Sequence, residues 1–226
     1  PATRATALGR FVHYVLEHIL ALDPSDRDAN QVPNYLEAAH EEILTDSVLS
    51  DLALSDSELR SFVDEAEKIA RNYFTLEDPR TRSIEGIERR INVEIDGVPL
   101  VGILDRLDRE DDGTLTIVDY KTGKAPHPNY LSSVFANTEL YAAMCEAELN
   151  ETPKKIRLFY VGAGSVVERP VTPVVIKARR DAASRAWKSI TSFYENGEFP
   201  ATPSSSACRF CAYKDLCRSN GVAVPA

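Results

Sequence analysis

VGILDRLDREDDGTLTIVDYKTG, residues 101–123, decides how the chain reads. Two apolar runs, near residues 100–109 and 114–121, flank Glu110-Asp111-Asp112-Gly113, whose Asp-Gly pair is a short-range hairpin signal. Side chains alternate across a strand, so Asp119 and Lys121 share a face, and Asp105 stands at a similar level on the neighbouring strand. Two carboxylates at one sheet end repel one another and favour a shared cation, and hard divalent ions prefer oxygen ligands. A lysine beside them can orient a water or offset developing charge. An Asp-x-Lys tripeptide is usually the solvated edge of a hairpin, but here the acids interrupt apolar strands, which is costly unless they have a task.

The rest of the composition bounds the possibilities. A chain of 226 residues fits one domain, or one domain with a helical elaboration. A net charge of −9 argues against broad electrostatic adhesion to nucleic acid. It leaves room for a local basic groove, because metal-binding acids lower the net charge of any phosphodiesterase. No apolar run approaches the length of a membrane span, and no secretory signal pattern is present. Four cysteines, three of them clustered, together with the missing export signal point to a reducing, cytoplasmic setting, and the lack of a membrane-length apolar run to no membrane partner. Gly123-Lys124 lacks the upstream glycine and following Ser/Thr of a phosphate loop, and no dinucleotide fingerprint appears.

On the N-terminal side, residues 6–22 form a helix with Leu8, Val12, Val15, Leu16 and Ile19 as its buried stripe, ended by Asp23-Pro24. His13 borders that stripe one turn after Gly9; a lone histidine in such a place is usually a core or boundary residue. The missing side chain at Gly9 would let the helix approach the sheet. Residues 33–49 and 55–74 read as accessory helices, the second opened by a capping box, Ser55-x-x-Glu58. Strands follow at 84–95 and 98–107, joined by an Asp96-Gly97 turn. On the C-terminal side come a helix at 130–149 carrying Asn137, Tyr141 and Cys145, strands at 154–162 and 166–171, and a helix at 174–196 with Ala182, Ala186, Ile190 and Phe193 inward. The basic residues of that last helix, Lys177, Arg179, Arg180, Arg185 and Lys188, can face phosphates or merely solvent. Cys208, Cys211 and Cys217 close the chain as C-x2-C-x5-C, a spacing that suggests metal ligation.

Taken together, these motifs resemble the RecB-like branch of the PD-(D/E)xK nuclease superfamily. Gly102, Asp105, Arg106, Asp108, Asp119, Tyr120, Lys121, Thr122 and Gly123 match its Gly-x-x-Asp-Arg-x-Asp and Asp-Tyr-Lys-Thr-Gly strings; Gly9, His13, Leu16 and Glu17 match its Gly-x-x-x-His-x-x-Leu-Glu helix. The resemblance implies an α/β, restriction-endonuclease-like fold: a mixed central sheet flanked by helices. It implies one nuclease domain over 1–226, with an N-terminal helical insertion at 23–80, a catalytic core at 81–198 and a cysteine-rich segment at 199–226. It implies catalysis by Asp105, Asp119 and Lys121, with Mg²⁺ or Mn²⁺ held by His13, Asp105, Asp119 and the Tyr120 carbonyl. Glu88 or Glu94 would be the acid that approaches the site from the preceding strand. Tyr141 matches the tyrosine of a Gln-x-x-x-Tyr helix that supports the site and contacts DNA, but Asn137 stands where the family has glutamine.

The cysteines resemble the C-terminal ligands of iron–sulfur members such as AddB and the CRISPR adaptation exonucleases, which bind a [4Fe–4S] cluster with a fourth cysteine before the histidine helix. No cysteine stands there in this sequence. The expectation is a fragment with an incomplete cluster, with zinc or free thiols as alternatives; Cys145 reads as a buried thiol. The implied function is a DNA exonuclease of recombination or repair, acting on single strands or duplex ends, with a helicase as a partner, and leaving 5′-phosphate and 3′-hydroxyl products. Two other classes stay open: an inactive nuclease fold that grips DNA or a helicase, and an iron–sulfur sensor domain.

Overall fold

Thr3 starts the first helix earlier than apolar periodicity predicts. Its hydroxyl accepts from Thr6 N and the Thr6 hydroxyl accepts from Thr3 N, a reciprocal cap that opens α1, Arg4–Leu20. The computed structural model describes residues 2–127, 131–209 and 211–225, apart from the side chains of Asp46, Leu131 and Ser132. Tyr130, where the sequence predicts a helix start, lies outside the described residues.

The single helix expected at 33–49 is two, α2 (Val32–Ile43) and α3 (Asp46–Leu52). Leu44 and Thr45 leave helical geometry between them, with ψ of 55° and 161°. That break lets Ile43 and Leu44 stay buried while Val48, Leu49 and Leu52 turn toward the same core. The capping box at Ser55 and Glu58 forms as expected and opens α4, Asp56–Leu76.

Five strands make one sheet in the order β1 (Ser83–Ile95), β2 (Val98–Arg109), β3 (Leu115–Lys121), β4 (Lys155–Tyr160), β5 (Ser165–Pro170). All neighbours are antiparallel except β3 and β4. That parallel pair needs a crossover, which α5 (Leu131–Val134) and α6 (Ala136–Leu149) supply. Asp96 and Gly97 both have positive φ, 53° and 75°, as the tight β1–β2 turn requires.

Helices α1 and α4 cover one face of the sheet through Phe11, Val15, Phe62 and Tyr73 against Val118, Tyr120 and Phe159, and α2 joins the same core by packing on those two helices. The other face packs Leu104, Leu107, Ile117 and Leu158 against α6 and Ile176, in the first turn of α7, Pro173–Asn196. Each fully buried side chain of this size contributes about 1.5–3 kcal/mol. The chain divides into two compact units, Pro1–Ala182 and Ala183–Ala226. The second holds the end of α7 and the short helices α8 (Ser205–Cys208) and α9 (Lys214–Ser219). Ile190, predicted to face inward, is 48% exposed there, and Ala186 is exposed too. Among the described residues no helix is long and apolar enough to cross a membrane.

Candidate metal and phosphodiester site

The site forms where β2 leaves β3. Their pairing runs from Arg109 with Leu115 to Arg106 with Val118 and goes no further. The next backbone N–H of β3 that would seek a partner is Tyr120, and the Asp105 carboxylate accepts from it at 2.8 Å. A side chain thus replaces a lost ladder bond, satisfying the backbone and fixing the carboxylate at the fork.

The same level carries a second distortion. In β1, Glu88 has φ of 43°, a left-handed conformation costly for a residue with a Cβ. The register does not slip: Ile87 pairs with Arg106 and Arg89 with Leu104, leaving Glu88 opposite Asp105. Yet both strands turn over at this point. Before it, Ile84 and Ile87 face the α1/α4 core, as does Arg106; beyond it, Ile91 and Leu104 face the α6 core. The turnover brings Glu88 toward Asp105 and α1.

From α1, His13 reaches the fork. Its Nε2 lies 2.9 Å from the Tyr120 carbonyl oxygen and its Nδ1 3.6 Å from Asp105 Oδ2. His13, Glu88 and Asp105 each present a ligand atom within 4.8 Å of the others, the one such group of three among the described residues. Burial, then the carboxylates of Asp105 and Glu17, push Glu88 up to about 7. Burial and Asp105 push Asp119 up to about 6, against the pull of Lys121. Crowded carboxylates whose charged forms are disfavoured are what a bound cation relieves. The donor set, carboxylates with an imidazole and the Tyr120 carbonyl, fits a hard divalent ion. The sequence linked Glu88 to the site only loosely; its left-handed backbone is not visible in composition.

Asp119 and Lys121 share the opposite face of β3, as alternation predicts, and form an ion pair at 2.7 Å. Burial lowers Lys121, but Asp119 beside it more than offsets this and holds the ammonium charged. Tyr160, paired with Lys121 across β3 and β4, stands on the same side and escaped sequence reading; only the strand register reveals it. Tyr141 also reaches this side. The Ile103 backbone hydrogen-bonds its hydroxyl, and both Asp105 and Asp119 act on it. A Cβ on Gly102 would sit 2.5 Å from Tyr141 Cε1, so the glycine makes room for the ring. Asn137 lies one turn earlier on α6 and is exposed. Gly9 proves less critical than expected, since a Cβ there would meet Thr122 Oγ1 at 3.7 Å, an ordinary contact. The close approach is instead at Gly162, where a Cβ would lie 1.9 Å from the Thr122 carbonyl oxygen.

Behind the fork lies a buried polar network that the sequence did not foretell. Arg106, fully buried, donates to the hydroxyls of Tyr73 and Tyr120 at 2.8 and 3.0 Å. Its Nη2 pairs with Glu77 and Asp108, each at 2.7 Å. Tyr73 and Glu77 belong to the end of α4 and its cap, so this network fastens the N-terminal helices to the strand that carries the Tyr120 carbonyl.

The other expected contacts resolve differently. Arg179 and Arg180 on α7 pair with Glu139 and Asp96, and Lys177 with Asp181, so these cations are already neutralised by neighbours. Cys208, Cys211 and Cys217 do not gather at ligand spacing among the described residues, because α8 and α9 hold two of them on separate short helices. The geometry gives the iron–sulfur reading no support. Cys145 is buried in the α6 core, and burial pushes its thiol up to about 12.

The profile of the PD-(D/E)XK nuclease superfamily matches residues 1–218. The Gene 69 protein of Mycobacterium phage L5 is 27% identical over 132 residues, 58% of this chain and 43% of that protein. An ATP-dependent helicase/deoxyribonuclease subunit of Streptococcus agalactiae serotype Ia is 30% identical over 116 residues, 50% of this chain and 10% of that protein. The chain therefore spans less than half the length of these relatives. The crystal structure of SSO0001 aligns over 94% of both chains at 16% identity, with a TM-score of 0.39.

Proposed function

We propose that this chain, which belongs to the PD-(D/E)XK nuclease superfamily, is a divalent-metal-dependent deoxyribonuclease that trims DNA strands from their ends during recombination or repair. The observation that carries this reading is the convergence of His13, Glu88 and Asp105 within 4.8 Å, beside the Asp119–Lys121 pair. His13, Asp105, Asp119 and the Tyr120 carbonyl would hold Mg²⁺ or Mn²⁺, with Glu88 as a further oxygen donor. When bound, the ion supplies Lewis-acid polarisation of the phosphate and acidifies a water.

The chain's own groups do the rest. Lys121 holds its ammonium beside the carboxylates, where it orients the attacking water and offsets charge that develops on the phosphate. Asp105, anchored by the Tyr120 N–H, and the Tyr120 ring, anchored by Arg106, keep the donors from rearranging as the substrate arrives. Tyr141 supports the Asp105/Asp119 side. The name of the streptococcal relative supports a DNA substrate and a helicase partner for a longer assembly.

End-labelled single- and double-stranded DNA incubated with Mg²⁺, Mn²⁺ or EDTA tests this. Metal-dependent cleavage that Lys121→Ala abolishes is the expected result, and the product ladder separates attack at ends from internal cuts. DNA left intact by the wild type under every metal condition would refute the enzyme reading and favour a binding module.

A further inference from the structure

Beyond the turnover at Glu88 and Asp105, the β1–β2 hairpin continues as an arm with one bare face. Arg90 and Asn92 of β1, and Val101 and Ile103 of β2, point away from the α6 core, with Arg90 paired to Ile103 and Asn92 to Val101. Val101 is 58% and Ile103 44% exposed, although β-branched residues on a strand ordinarily find cover. This face runs straight into the candidate site. Ile103 lines a cleft of about 350 Å³ together with Arg10, His13, Tyr14, Glu88 and Asp105.

Charge marks the same place. The chain carries a net charge of −9, and most arginines of the first unit are paired with acids. The side chains of Arg10 and Arg90 are exposed and, among the described residues, make neither an ion pair nor a hydrogen bond. One guanidinium left open in the cleft that Glu88 and Asp105 line, and a second further along the arm on the strand position paired with Ile103, fit a ligand that carries successive phosphates.

We propose that this face, with Arg10 across the cleft, is the track that lays one single strand of DNA into the metal site; the inference rests on the nuclease reading above. Arg10 and Arg90 take successive phosphates, and Val101 and Ile103 take the apolar faces of sugars or bases. A duplex keeps its bases stacked inside, so the apolar half of this face suits a single strand. From Asp105 to Val101 the arm spans about 13 Å, room for about two to four nucleotides at or beyond the B-form rise of 3.4 Å. Glu94, exposed further along the same face, bounds the track with like charge.

Binding of a fluorescein-labelled oligothymidylate, followed by anisotropy across a KCl series in a Lys121→Ala background with Mg²⁺, reads this without cleavage. Arg10→Gln/Arg90→Gln is expected to weaken binding about tenfold or more. It should flatten the log–log salt slope by about 1.4, at about 0.7 per single-strand phosphate contact. Val101→Ser/Ile103→Ser should weaken binding with the slope unchanged, and Arg60→Gln, an exposed arginine on α4, should change neither. All three sets lie on the surface, and circular dichroism confirms their folding. Cleavage by the wild type together with unaltered binding by Arg10→Gln/Arg90→Gln would overturn the track while leaving the nuclease standing. Loss confined to duplex probes would overturn its single-strand character. A wild type that neither cleaves nor binds DNA would remove the nuclease reading and this inference with it.

Discussion

Glu88 and Asp105 stand opposite one another across β1 and β2 at the level where both strands turn over without losing register. Strain and charge are concentrated at one point. The left-handed backbone at Glu88 costs about 1–2 kcal/mol, and the Glu88 carboxylate is half-buried beside another acid. Such costs persist where a site needs them.

Replacing that residue separates stability from function. Glu88→Gly relieves the left-handed strain and one buried carboxylate, and the greater freedom of an unfolded glycine offsets part of the gain. The metal-free protein is expected to gain about 1 kcal/mol in urea unfolding, while stabilisation by added Mn²⁺ shrinks. A destabilised metal-free variant would show that Glu88 carries no such strain.

Arg106 is the centre of a fully desolvated network with Glu77, Asp108, Tyr73 and Tyr120. Arg106→Met strands two buried acids and should cost about 3–5 kcal/mol, read as a lowered urea midpoint. A cost below about 1 kcal/mol would mean that solvent reaches the network.

Gly102 and Tyr141 are coupled by contact. Gly102→Ala forces the ring aside and should cost about 1–3 kcal/mol. In a Tyr141→Ala background the same change should cost markedly less, a non-additivity of about 0.5–3 kcal/mol. Additive effects would contradict the packing.

Cys145 should resist iodoacetamide in the folded protein at about pH 8 and react after unfolding, because burial pushes its thiol up to about 12. Peptide mass spectrometry of native and urea-treated samples reads the difference. Rapid native labelling would place Cys145 outside the core.

Much of this architecture was legible in local signals. Asp96-Gly97 announced its turn, Ser55 and Glu58 their cap, and strand alternation the shared face of Asp119 and Lys121, because each depends on neighbours in sequence. The turnover at Glu88 was hidden, since a glutamate carries no propensity for left-handed backbone. Burial of Arg106 was hidden as well: its partners Tyr73 and Glu77 lie far back in the chain, on α4 and its cap, and an arginine in a strand ordinarily points to water. The split between α2 and α3 escaped because Ile43-Leu44 continues a helical pattern that packing interrupts. On α7 the sequence showed cations but not the acids of α6 and the β1–β2 turn that neutralise them.

Calorimetric titration of Mn²⁺ into the wild type and Asp105→Asn asks whether the fork between β2 and β3 holds a divalent metal. The asparagine keeps an oxygen for the Tyr120 N–H, so the fork should remain folded. The expected result is saturable binding in the wild type that weakens at least about tenfold in the variant. Equal Mn²⁺ affinity in both proteins, or none in the wild type, would contradict it.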